Sequence, residues 1–294
     1  MNAFKVQCVA LRKQDYTLPE IVKKTGRSKT SVYFHIRHIP LSSAKKLSIS
    51  ESSRTRALHN ALRRKGKSAR AFQKFYRWNV KKVSLVAHLL FDGEIRPSGC
   101  VYHNRSRALI RHVERCMKEI YGFAPKRYRN PITGVVRTCH FNVALGAYMQ
   151  PKADQLLEEI SHLSLPLKRA FIRAFFDDEG CIDFRPHRNH RRIRGYQKDV
   201  AILVLIQRLL LSFGIIVSIE HPNEVVVSRK DNLQLFQKEI NFSPGVRING
   251  KRTNSIWKKN LEKREILKMA LASYQLKPKT YFKAASQSQM RRRR

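Results

Sequence analysis

Apolar and polar positions along the chain fall into helical and alternating stretches that recur in one order. "LVAHLLFDGEI" (85–95) and "IRAFFDDEGCI" (172–182) align without a gap. Each has a small residue at the third place (Ala87, Ala174), an acid at the eighth (Asp92, Glu179), Gly at the ninth (Gly93, Gly180) and Ile at the eleventh. An alternating, strand-like segment follows each glycine, then an apolar helix, "ALIRHVERCMKEIYGF" or "DVAILVLIQRLLLSFGI". A hairpin signal comes next, turning at Pro131 to Gly134 in the first copy and at Pro222-Asn223 in the second. Helices "NVALGAYM" and "NLQLFQKEI" close the copies. Helix, two strands, helix, two strands, helix occurs twice, which predicts a duplicated α+β domain.

Ahead of the repeat the periodicity is helical only. Val6, Val9 and Ala10 share a face. "DYTLPEIVKKTG" predicts a helix with Thr17 as N-cap, Pro19 in the first turn, Glu20 near the dipole's positive end and Ile21 and Val22 inward. Gly26 ends it. Ser28 then caps "SKTSVYFHIRHI", whose Val32 and Ile36 lie four apart on a buried face. Helix, Gly-containing turn and helix resemble the helix-turn-helix modules of prokaryotic regulators and transposases, which implies that Ser28, Lys29, Thr30 and Tyr33 face DNA.

Charge adds a partner to this picture. Sixty Lys and Arg against 21 Asp and Glu give a formal +39, in a chain whose 42% hydrophobic content is that of a globular protein. Such an excess points to a polyanion, with nucleic acid favoured over a membrane. The longest apolar run, 200–217, is broken by Gln207 and Arg208 and predicts a buried helix then a strand. No signal peptide is evident, so an intracellular, cytoplasmic protein is expected. No acid stands between Ser52 and Phe91, and residues 54–82 hold 11 Lys or Arg, a basic helical linker expected to contact phosphates. The five cysteines are odd in number and never spaced C-x-x-C, so reduced thiols are expected. Without a Gly-rich phosphate loop, no nucleotide cofactor is expected.

The two aligned segments resemble the LAGLIDADG motif of homing endonucleases, and the repeat order resembles their monomeric, two-motif members. The resemblance implies a duplicated αββαββα fold with two saddle-shaped antiparallel sheets, preceded by the all-α helix-turn-helix module. The expected parts are that module at 1–41, the linker at 42–82, the halves at 83–164 and 165–275, and a basic disordered tail at 276–294. Ala87 and Ala174 would let the motif helices approach, and Gly93 and Gly180 would end them in the left-handed conformation. Phe91, where the family has a small residue, implies looser packing. Two carboxylates converging at helix C-termini repel unless divalent cations bind, so Asp92 and Glu179, with Gly93 and Gly180, are expected at a Mg²⁺ site that also accepts Mn²⁺.

The implied activity is a metal-dependent double-strand break in DNA. Alternatives on the same fold are a non-cleaving transcriptional regulator and an intron RNA splicing maturase. The family also places a lysine from each half near the scissile phosphates, in the loop after the last helix-strand unit. Lys152 and Lys251 stand there in this chain, and Gln197 could orient a water. Asp177 is expected to cap, and Asp178 and Glu94 fall outside the ligand position. DNA is expected on the sheets through Arg96, His103, Asn104, Arg105 and Arg107 in the first half. In the second half, Arg185, Arg188, Arg191, Arg192 and Arg194 have that role.

Overall fold

The computed structural model describes residues 3–64, 71–185, 188–250 and 257–275. The chain divides into two compact units, Met1–Ser68 and Ala69–Arg294.

In the first unit, helices α1 (Ala3–Lys13), α2 (Leu18–Thr25) and α3 (Lys29–Ile36) pack around Cys8, Ile21, Val32 and Ile36. The Thr17 backbone N–H donates to Glu20 Oε2 at 2.6 Å, closing the first turn of α2, and Gly26 ends that helix at φ 65°. Ser28 Oγ accepts from the Ser31 N–H at 3.2 Å and so begins α3. The expected face of α1 is corrected. Val6 and Ala10 are exposed, and Phe4, Cys8 and Leu11, spaced four and three apart, form the stripe that packs inward. Helix α4 (Ser43–Arg64) follows.

The first unit's limit falls inside the stretch expected to be a linker, and the end of that stretch is not helical. Residues 71–79 run without regular structure along α7 (Val143–Glu159). Tyr148 Oη accepts from the Phe75 N–H at 2.7 Å and donates to the Phe75 carbonyl at 2.5 Å. Trp78 Nε1 donates to Glu159 Oε2 at 2.7 Å. The aromatic residues of this basic stretch give it a packed anchor.

The second unit shows the repeat directly. Its first half runs α5 (Val80–Phe91), β1 (Gly93–Arg96), β2 (Gly99–Asn104), α6 (Arg107–Tyr121), β3 (Lys126–Arg129), β4 (Val136–Phe141), α7. The second half runs α8 (Leu165–Asp178), β5 (Gly180–Arg185), β6 (His190–Tyr196), α9 (Val200–Leu211), β7 (Val217–Glu220), β8 (Glu224–Val227), α10 (Lys230–Leu235), the last continued by a π-turn to Ile240. Both sheets are four-stranded and antiparallel, in the orders β1-β2-β4-β3 and β5-β6-β8-β7. A further helix, α11 (Lys263–Ala272), packs against β5 and α10.

Helices α5 and α8 pack on one another, with Ala87 and Ala174 buried between larger neighbours. Phe91 does not hold the helices apart. Its ring meets Phe171 and Phe175 edge-on, with centroids 5.4 and 5.2 Å away. The motif glycines correct a second expectation, because neither takes a positive φ. Each is the first residue of a strand, and the residue before it, Asp92 (φ −99°, ψ 12°) or Glu179 (φ −98°, ψ −9°), makes the turn. Glycine is needed for close approach instead. A Cβ on Gly180 would stand 2.3 Å from the Phe176 carbonyl oxygen, and one on Gly93 2.6 Å from Leu89 Cα. Backbone cannot swing aside as a side chain does, so Gly180→Ala is expected to cost about 3 kcal/mol. Urea unfolding measures this, and unchanged stability would show that the helix end has room.

Candidate active site

The motif acids occupy corresponding places, Asp92 capping α5 and Glu179 capping α8, both half-buried. Burial, then the charge of Asp178, pushes the Asp92 carboxyl from 3.8 to about 6, against the pull of Lys263, His88 and Asn104. Burial, then Asp92 and Asp178, pushes Glu179 from 4.5 to about 7. Helix C-termini add negative potential at this point. The site therefore carries more negative charge than its surroundings balance.

Asp92 faces a cleft of ≈ 560 Å³ lined also by Asn104, Arg105, Asp177, Asp178, Gly180 and Lys263. Asp177 is buried; its Oδ1 accepts from the Ser243 N–H at 2.9 Å, and burial raises its carboxyl. Asp178 is enclosed, accepting from Tyr102 Oη at 2.6 Å and pairing with His88 Nδ1 at 2.7 Å. Burial opposes a charge on His88, but Asp178 beside it raises the imidazole on balance.

Sequence reasoning missed Lys263. It begins α11, is buried, and donates through Nζ to the carbonyl oxygens of Phe176 (3.1 Å) and Asp177 (2.6 Å). Burial lowers its ammonium, and Asp177 and Asp178 oppose that shift. Nothing in the spacing of the repeat points to residue 263, which lies after the last repeated helix, within the half expected at 165–275. His88 had a faint signal, as the one titratable side chain between Leu85 and Phe91.

Of the auxiliary residues, Lys152 falls elsewhere than expected. Lys152 is within α7 and not in a loop; its Nζ donates to Gln155 at 2.7 Å and lies over the rings of Phe75 and Trp78. Lys251 is outside the described residues. Gln197 follows β6, and its Oε1 accepts from the Lys198 N–H at 2.8 Å. Among the described residues no cluster of three or more His, Cys, Asp or Glu is poised around a metal position. The oxygen donors available at the motif ends are the carboxylates of Asp92 and Glu179, whose mutual repulsion a divalent cation would relieve. Two carboxylates, with the cleft beside Asp92 open to water and phosphate oxygens, suit a hard divalent cation, so the donor set fits such an ion.

Strand alternation sorts the basic residues. Ile182, Phe184 and Ile193 enter the core, which leaves Asp183, Arg185, Arg192 and Arg194 on the open face of the second sheet. There Arg185 and Arg192 meet Asp183 at 2.8 and 3.1 Å, and Arg194 meets Glu224 at 3.0 Å. Arg191 is a correction. It stands opposite Phe184 on the helix-covered face, donates to Ser273 Oγ at 2.6 Å and lies over Tyr274. Arg188 and Arg107 are exposed, and Arg105 Nε donates to the Thr133 carbonyl at 2.8 Å. Arg96, paired with Glu94, shares the first sheet's open face with His103, Arg137, Lys126 and Tyr128. The last three of these the sequence reading did not single out. In the N-terminal unit Ser28, Lys29, Thr30 and Tyr33 are all exposed on or beside α3. No helix among the described residues is long and apolar enough to cross a membrane.

Comparison with known proteins matches residues 166–241 to the family model of a LAGLIDADG-like domain. No curated protein matches the chain in sequence. Among solved structures, the homing endonuclease I-DmoI in complex with DNA and Ca is similar at 18% identity, covering 57% of this chain and 96% of that one, with a TM-score of 0.42. The homing endonuclease I-WcaI bound to its DNA recognition sequence is similar at 17% identity over 57% and 86% of the two chains, TM-score 0.42. The N-terminal LAGLIDADG domain of DUF199/WhiA is similar at 14% identity over 58% and 88%, TM-score 0.43.

Proposed function

We propose that the chain is a LAGLIDADG-type, site-specific DNA endonuclease making a divalent-metal-dependent double-strand break, a reading supported by the LAGLIDADG-like domain matched over residues 166–241. The observation that carries this reading is the pair of motif acids at corresponding helix ends, each with a carboxyl pushed up by burial and by neighbouring acids. An uncompensated pair at such a place is costly to the fold and of use to a cation. Asp92 and Glu179 would hold Mg²⁺, or Mn²⁺ in its stead. When bound, the ion supplies an activated water and charge stabilisation at the leaving oxygen.

The remaining work falls to the chain's own groups. Above about pH 7 both acids are ionised and ready to ligate. Lys263 holds the end of α8, and so Glu179, in place. The open faces of the sheets, with Arg96, His103 and Arg137 on one and Arg185, Arg192 and Arg194 on the other, offer donors to a DNA groove. In the second sheet each of these arginines has an acidic partner, so phosphates and bases must compete for them. The exposed start of α3 would extend the recognised site, and the net +39 would hold duplex DNA without sequence preference.

Incubating the protein with genomic DNA of its own host and Mg²⁺, then sequencing the ends, tests the reading. Discrete ends that vanish with EDTA are expected; DNA left intact would end the proposal. One observation favours a second reading, a DNA-binding regulator that does not cut. Lys263 already sets an ammonium among the acids and can balance charge without a metal. In that case specific DNA would be bound and protected, and Mn²⁺ would not bind.

A further inference from the structure

The two halves surround their acids with different chemistry. The offset of 87 residues that carries Asp92 onto Glu179 carries His88 onto Phe175 and Phe91 onto Asp178. Strand register supplies the other correspondences. Tyr102 stands opposite Gly93 as Gly195 stands opposite Gly180, so Tyr102 corresponds to Gly195 and Asn104 to Gln197.

In the first half these positions form one hydrogen-bonded chain. Asp178, whose side chain is 0% exposed, pairs through Oδ2 with His88 Nδ1 at 2.7 Å and accepts at Oδ1 from Tyr102 Oη at 2.6 Å. Asn104 Nδ2 is 3.3 Å from the same Oδ1, 3.1 Å from Tyr102 Oη and 2.7 Å from Asp92 Oδ2. The Asn104 carbonyl end accepts from the Ser106 N–H at 2.8 Å, which fixes the amide nitrogen toward Asp92. In the second half the polar groups are missing. Phe175 packs so closely on Gly195 that a Cβ there would be 2.4 Å from the ring. Gln197 turns its oxygen to its own backbone. Among the described residues no side chain donates to the Glu179 carboxylate.

We propose that Asn104 and Asp178 are positioning residues for Asp92 alone, so that the second half's motif helix orients the first half's acid and the two half-sites work unequally. The inference rests on the endonuclease reading and adds to it a direction of asymmetry. A carboxylate held by a fixed amide presents its free oxygen to a metal in one orientation, whereas Glu179 keeps its rotamers. Removing such an outer partner lowers metal affinity or rate by about tenfold to a hundredfold.

The test uses the full chain and a supercoiled plasmid carrying its site, each strand end-labelled, with Asn104→Ala and Asp178→Asn. Both variants are expected to slow the same single strand about tenfold or more, so that nicked circles accumulate, with DNA affinity in Ca²⁺ unchanged. A purely structural defect would slow both strands together, and that result, or no slowing, overturns the proposal. Mn²⁺ titration of wild type and Asn104→Ala without DNA keeps the two readings separable. If wild type makes no break, the endonuclease reading fails, and weaker Mn²⁺ binding by the variant still supports the positioning role. Equal affinities refute it.

Discussion

Asp92→Asn combined with Glu179→Gln is expected to abolish cleavage and, in the absence of metal, to make the protein more stable. The loss of activity follows if the carboxylates ligate the ion, since several kcal/mol of charge stabilisation correspond to roughly a thousandfold or more in rate. The gain in stability follows from the direction of both shifts. Asp92 rises from 3.8 to about 6 and Glu179 from 4.5 to about 7, so the folded chain holds these protons more tightly than the unfolded chain does. Their contribution to stability is complete below about pH 4 and is lost as pH climbs through 6 and 7. At pH 7.5 in EDTA the neutral variant escapes that loss, by on the order of 1–2 kcal/mol per acid, or a rise in Tm of several degrees. At pH 4 the two melting temperatures should converge. Thermal melts at both pH values, beside plasmid cleavage, check the pair of outcomes. A variant that still cuts, or one less stable than wild type at pH 7.5, would contradict the placement of uncompensated charge at the helix ends.

That opposition between activity and stability explains which features could be seen in the sequence. The two copies were legible because each motif packs an apolar helix, an acid and a glycine into a fixed order, and the hairpins carry turn residues at matching places. Gly134, for example, takes φ 69° in its turn, as the pattern around Pro131 required. The conformation of Gly93 and Gly180 was not legible. Left-handed helix ends and tight helix-to-strand crossings both select glycine, and only the distance to Phe176 or Leu89 tells them apart. Arg191 could have been sorted from sequence alone. Adjacent strand residues point to opposite faces, so Arg191 and Arg192 could not both meet DNA on one sheet surface. The His88–Asp178 pair joins residues 90 apart through the packing of α5 on α8. Its partners are a lone histidine and one of three consecutive acids, and nothing in their spacing says they meet.

Lys263→Met is expected to be the most destabilising single change in the site, at about 3–5 kcal/mol, because it removes one side of a buried charge cluster and leaves the other. Methionine keeps the length and much of the volume of the side chain, so the loss reports on charge and hydrogen bonding more than on packing. Two donors to the carbonyls of Phe176 and Asp177 disappear at the end of α8, where the helix dipole is already negative. Asp177, buried with Oδ2 unpartnered among the described residues, loses the attraction of the ammonium, as do Asp178, Asp92 and Glu179. Chemical denaturation should show the drop, with Tm lower by roughly 8–15 °C. Adding Asp177→Asn separates the causes. If the penalty is the stranded carboxylate, the double variant recovers about 1–3 kcal/mol relative to the sum of the single changes. If the penalty is only the two lost carbonyl bonds, the changes add, and Lys263 is a helix-end clamp and not the counter-ion of the cluster. A loss under about 1 kcal/mol for Lys263→Met would mean that water replaces the ammonium. Charge balance at the motif ends would then fall to His88, paired with Asp178, and to bound metal.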